Sequence, residues 1–185
     1  MLLSHGAGGD CRSPLMGAVA NAFCESGYAV LRWDLPFRQR GRGSPGGSGE
    51  RDREGIREAV QALREQAPKV PVYLAGQSYG GRQSSIVAAE QAEIAVGLLL
   101  LSYPLHPPGK PAQARTDHFP SLRVPAAFVH GTRDPFGSIE ELQEAIKLIP
   151  AKTALKIVKG AGHGVPPKSA AELPEWFPAC MRDDG

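Results

Sequence analysis

The stretch Pro71–Arg82, PVYLAGQSYGGR, constrains this chain more than any other. Val70, Val72 and Leu74 belong to a short apolar run of strand type that stops at Gly76-Gln77-Ser78-Tyr79-Gly80, and helix-compatible residues follow from Arg82 to Glu90. A strand that turns directly into a helix leaves little room between the two. Glycines on either side of the serine remove side chains that would collide with the neighbouring strand and helix, and they tolerate a strained turn. Such a turn lifts the Ser78 hydroxyl clear of the sheet. It also aims the first N–H groups of the helix at whatever approaches that hydroxyl.

The flanking sequence supplies the sheet that this strand must join. Leu2-Leu3 reads as the tail of a strand, followed by a glycine loop at His5–Gly9. Ser13-Pro14 is a helix start, Leu15, Val19, Ala20 and Phe23 share one face, and Gly27 ends the helix. Ala29–Leu31 is the next strand. Arg38–Glu50 is rich in glycine, arginine and serine and has no interleaved aromatic residue, so it reads as a solvated loop rather than a nucleic-acid surface. Ile56, Ala59, Val60, Leu63 and Ala67 mark an amphipathic helix. Beyond the helix that follows Ser78, Ile94–Leu101 and Ala126–Val129 are apolar runs of the kind buried on both faces of a parallel sheet. Between them Ser102–Val124 is irregular and carries five prolines. Ser138 and Glu141 form a capping box ahead of another helix, Leu155–Val158 alternates as a strand near a sheet edge does, and Leu173, Trp176 and Phe177 belong to a last helix. The pattern predicts an α/β fold of about six mostly parallel strands with helices on both faces, in a single domain over residues 1–185.

Bulk properties exclude several classes. A net charge of +2 gives no reason to invoke nucleic acid or a membrane as partner. Cys11, Cys24 and Cys180 are odd in number and form no C-x-x-C pair, which argues against a disulfide framework or a zinc site. No apolar stretch approaches the roughly 20 residues of a membrane span. MLLSHGAGG lacks the basic region and apolar core of a signal peptide, so a cytoplasmic protein with reduced thiols is expected.

A serine hydroxyl is a poor nucleophile at neutral pH and needs a base beside it, the role imidazole suits. Of the five histidines, only His163 sits in a glycine-flanked loop after the last strand. His130 ends a strand and reads as structural; His106 and His118 lie in the irregular connector, where either could line a pocket. Asp134, in the loop after the Ala126–Val129 strand, is placed to orient the imidazole, and its alternative is a turn-capping role before Pro135. G-x-S-x-G is a modest signal by itself. The order Ser78, Asp134, His163 strengthens it, because each follows a strand-type run.

With these pieces in that order, the chain resembles an α/β-hydrolase over nearly its whole length, and within that superfamily it is most similar to the small dienelactone-hydrolase-type proteins. SHGAGGD, GQSYGGR, SYPLHPPGKP and VHGTRDPFG resemble one group of these, whose relatives include a subunit of a chromatin acetyltransferase complex. The resemblance implies a minimal α/β-hydrolase fold with its first two strands missing, no cap domain, and the Ala29–Leu31 strand lying outside the Leu2-Leu3 strand. The resulting open edge is one through which two copies could dimerise. It implies a Ser78–His163–Asp134 triad, an oxyanion hole from the N–H groups of Ala7 and Tyr79, and no cofactor or metal. The implied function is a serine esterase acting on a small acyl ester through an acyl-serine. Arg82, one helical turn beyond Ser78, and Arg38 are candidates to pair with a substrate carboxylate, although Arg82 has an alternative as an ion-pair partner of Asp34. His5 and His106 are further candidates to line the pocket. The reading from another class, a non-catalytic binding or scaffold protein on the same fold, stays open.

Overall fold

The computed structural model describes residues 1–181, and residues 182–185 of the expected domain lie outside the described residues. Among the described residues six strands form one sheet: β1 (Leu2–Ser4), β2 (Leu31–Trp33), β3 (Tyr73–Gln77), β4 (Gly97–Leu101), β5 (Ala126–Gly131) and β6 (Thr153–Val158). Their order is β2-β1-β3-β4-β5-β6, and every neighbouring pair is parallel. β2 is therefore outermost and Leu2-Leu3 is not, as the resemblance implied. The strand begins two residues later than the expected Ala29–Leu31.

Parallel strands need crossovers that cover both faces, and the apolar runs are split accordingly. Leu74, Leu98, Leu100 and Phe128 pack toward α3 (Glu50–Gln66), α4 (Tyr79–Glu90) and α5 (Ile139–Ile146). Their neighbours along the same strands, Ala75, Leu99, Leu101 and Val129, pack on the other face against α1 (Pro14–Glu25) and α6 (Leu173–Met181). Every residue of β4 and β5 is buried, which is why these runs show no alternation. In β6 the side chains are mostly half-buried, as an edge strand allows.

The helix starts differ in how they are made. At α5 the capping box forms, Ser138 Oγ accepting the Glu141 N–H and Glu141 accepting the Ser138 N–H. At α1 Ser13 takes the capping position, but its hydroxyl accepts the Asp10 N–H and donates to the Asp10 carbonyl, tightening the preceding turn. Pro14 then opens the helix, where its missing N–H costs nothing.

Two irregular segments flank the carboxyl ends of the strands. The connector 102–124 contains a single 3-10 turn, Phe119–Ser121, and no α-helix, so no cap domain arises. It is anchored by buried Tyr103, Phe119 and Leu122. The Tyr103 hydroxyl donates to the Arg115 carbonyl at 2.7 Å, and the Arg115 N–H donates to Leu105 at 2.7 Å. The segment 40–49, after the short helix α2 (Pro36–Gln39), is largely exposed.

Candidate active site

The site is organised by the turn between β3 and α4. Ser78 occupies it alone, with φ 48° and ψ −114°, a region that side chains other than glycine rarely adopt. The strain is held by hydrogen bonds on both sides: Ser78 N–H donates to Leu101 at 2.8 Å, and Arg82 N–H donates to the Ser78 carbonyl at 2.9 Å. Glycine is demanded next to it. A Cβ at Gly76 would lie 2.5 Å from the Gly81 nitrogen, and one at Gly80 would overlap the His5 carbonyl.

Ser78 Oγ lies 2.7 Å from His163 Nε2, and His163 Nδ1 lies 3.0 and 2.9 Å from the two oxygens of Asp134. A proton on Nδ1 directed to the carboxylate leaves Nε2 free to accept the serine proton. The Asp134 side chain is fully buried while His163 is 22% exposed, so the acid is screened from water and the imidazole opens on solvent. Asp134 Oδ1 also accepts the Phe136 N–H at 2.9 Å, and the Phe136 ring stacks on His163 at 3.9 Å between centroids. The loops bearing Asp134 and His163 are tied together by the Arg133 N–H, which donates to Ala161 at 2.8 Å.

Ala7 and Tyr79 line the same cleft as Ser78. Tyr79 is the first residue of α4, so its N–H has no carbonyl partner within the helix. Its phenol donates to Asp52 Oδ2 at 2.7 Å, and Asp52 Oδ1 accepts the Phe37 N–H. Burial, reinforced by the Asp52 carboxylate, pushes the phenol pKa well up, so the hydroxyl stays a donor and pins the residue to α3. The cleft measures about 850 Å³. A second cavity of about 310 Å³, beside Tyr28, Leu63 and Val72, is more apolar, and neither Ser78 nor His163 lines it.

Several sequence expectations need correction. His5 is fully buried; its Nδ1 donates to Gly6 and its Nε2 accepts the Leu35 N–H, so it braces the glycine loop and cannot meet a substrate. Arg38 donates to the Gly9 carbonyl and lies over the Phe37 ring, holding that loop from behind. His106 points away, bonded to the Pro107 carbonyl and to Glu141, in a different cavity. His118 bonds Ser85 beneath the cleft wall. Asp34 does not pair with Arg82: it accepts the Cys11 N–H at 2.7 Å and sits 3.6 Å from His5 Nε2. Arg82 does line the cleft. So do Gln77, Phe136 and Arg115, which sequence reasoning missed. Only Gln77 carried a signal, its place beside Ser78 in G-x-S-x-G.

The model for the alpha/beta hydrolase domain matches residues 1–175, and the chain belongs to that family. Solved structures similar to it include a dienelactone hydrolase from Anabaena variabilis, with TM-score 0.77 and 23% identity over 98% of this chain and 86% of that one. A serine hydrolase without a lid from Xanthomonas campestris aligns with TM-score 0.75 and 18% identity, over 100% and 83% of the two chains. A monoacylglycerol lipase from Paleococcus ferrophilus aligns with TM-score 0.76 and 17% identity, over 97% and 93%. At these identities the likeness is one of fold. Among the described residues no helix is long and apolar enough to cross a membrane.

Proposed function

We propose that the protein is a serine hydrolase that cleaves small acyl esters through an acyl-serine intermediate. The observation that carries this reading is the unbroken hydrogen-bond chain from buried Asp134 through His163 to a strained Ser78 at the floor of an open cleft. His163 Nε2 takes the hydroxyl proton as Ser78 Oγ attacks the acyl carbon, and Asp134 stabilises the imidazolium that forms. The N–H groups of Tyr79 and Ala7 meet the oxyanion of the tetrahedral intermediate. Losing one such donor costs on the order of 10²–10³ in turnover. His163 then protonates the departing alkoxide. In the second half-reaction it deprotonates a water that attacks the acyl-serine, and the carboxylic acid leaves.

A scaffold protein on this fold would have no need of a serine held at positive φ, which costs on the order of 1–3 kcal/mol. The decisive experiment compares wild type with Ser78→Ala on p-nitrophenyl acetate and with a fluorophosphonate probe. Wild type should turn over the ester and be labelled, and Ser78→Ala should do neither while melting at a similar temperature. Equal activity in the two proteins would end the serine-hydrolase reading.

A further inference from the structure

We propose that Arg82 and Arg115 form an anion subsite in the cleft above Ser78, so that the acyl compound cleaved there carries a carboxylate or a phosphate. The substrate part of the proposal rests on the serine-hydrolase reading. The anion site itself does not.

Both guanidinium-bearing residues line the cleft with Ser78 and His163, and among the described residues no aspartate or glutamate lines it. Arg82 follows the nucleophile by one helical turn, which brings the two Cβ atoms to about 5–6 Å. Arg115 arrives from the connector, on a backbone fixed by its bonds to Tyr103 and Leu105. The pair is therefore within reach of a group attached by a short linker to the scissile carbonyl.

Neither arginine has a carboxylate partner among the described residues. The Arg82 Nε is buried with no hydrogen-bond partner, its guanidinium lies beside the Tyr103 hydroxyl, and the hydrogen bond from Arg115's side chain to the Pro104 carbonyl is a long one, 3.3 Å. On the next helix the protein treats the same problem differently: Arg53 and Arg57 are both held by Glu50 and Glu90. The Arg82 cation is felt by its neighbours, opposed at His118 by the Asp117 carboxylate. Burial, and then the Arg82 cation, lowers the pKa of Arg115 and pushes that of His118 down to about 4. Two cations set side by side repel one another unless an anion neutralises both. The planar fork of arginine matches the oxygens of carboxylate and phosphate in paired fashion, which a lysine would not do.

Calorimetry at low ionic strength tests the site without turnover. In the Ser78→Ala background, monomethyl glutarate and inorganic phosphate are titrated into the protein and into its Arg82→Gln and Arg115→Gln derivatives. Saturable binding is expected, weakened about tenfold or more by either glutamine, as loss of a charge-assisted hydrogen bond implies. The tighter of the two anions identifies the chemistry. Should a glutamine variant fail to fold, Arg82→Lys and Arg115→Lys keep the charge without the fork and should bind more weakly than the parent. Binding of neither anion, or equal binding by the Arg82→Gln/Arg115→Gln double variant, would overturn the proposal. With active protein, mono-p-nitrophenyl glutarate should be preferred over p-nitrophenyl valerate in kcat/KM, and the ratio should drop toward one in the glutamine variants. Anion binding with no Ser78-dependent cleavage of either ester would count against the hydrolase reading and leave the anion site standing.

Discussion

The two flanks of the cleft handle their polar groups in opposite ways. On the β5–β6 flank the polar atoms of Asp134 and His163 are paired: Asp134 oxygens meet His163 and the Phe136 N–H, and His163 Nε2 meets Ser78. On the connector flank, Arg82 and Arg115 line the cleft with no carboxylate partner among the described residues, beside a His118 whose pKa burial and Arg82 hold down. A group whose partners are all internal is oriented before any substrate arrives, which is what acid–base chemistry requires. A group lacking a counter-charge keeps its capacity for something outside. In the proposed reading the first flank serves reaction and the second recognition.

The largest effect should come from spoiling the partnered flank. Asp134→Asn preserves the shape of the side chain but favours the wrong imidazole tautomer, and loss of the orienting carboxylate in such a constellation costs on the order of 10⁴ in kcat. Steady-state kinetics on p-nitrophenyl acetate will measure it. A loss of less than about tenfold would mean that prior orientation of His163 is not what this flank contributes.

A smaller effect should appear on the other flank as a pH dependence of stability. The native His118 pKa of about 4 lies below the ordinary 6.5, because of burial first and Arg82 second. Between these values the unfolded chain binds a proton that the native protein refuses, so stability falls as pH drops through that window and levels off below it. The loss is bounded by about 3 kcal/mol. Denaturant unfolding at pH 7 and pH 4, with an NMR titration of His118, checks both ends. Arg82→Gln should raise the His118 pKa, and so should phosphate bound between the arginines. A pKa indifferent to both would remove His118 from the comparison.

The smallest effect concerns what neither flank supplies. The connector forms no α-helix, and the exposed segment 40–49 is mostly glycine, serine and arginine, so among the described residues no broad apolar cover lies over the cleft. A hydrophobic pocket gains about 1–3 kcal/mol per methylene, and without one added carbons gain little. kcat/KM should therefore decline gradually from p-nitrophenyl acetate to palmitate, with no rise when micelles form. Highest activity on palmitate would require an apolar cover that neither flank possesses.

Much of this protein could be read from local pattern alone. Uninterrupted apolar runs gave away β4 and β5, because strands covered on both faces need no polar side. The glycines at 76 and 80 announced a turn too tight for side chains, and the close approach of Gly81 and of His5 is the reason. Ser78, Asp134 and His163 could be picked out because each stands in the segment that follows a strand, where a parallel sheet gathers its loops at one end. What tertiary structure alone decided was the direction and company of the remaining polar side chains. His5, Arg38 and His106 carry no sequence mark that distinguishes a brace from a substrate contact, since the carbonyl or carboxylate that claims each depends on how chain segments meet. Arg115 lies in an irregular segment with no period to assign it a face. It reaches Arg82, 33 positions earlier, because buried Tyr103 and Phe119 fold the connector back over α4. Spacing along a chain fixes neighbours within one element; which cation is left without a counter-charge is settled only when separate elements pack.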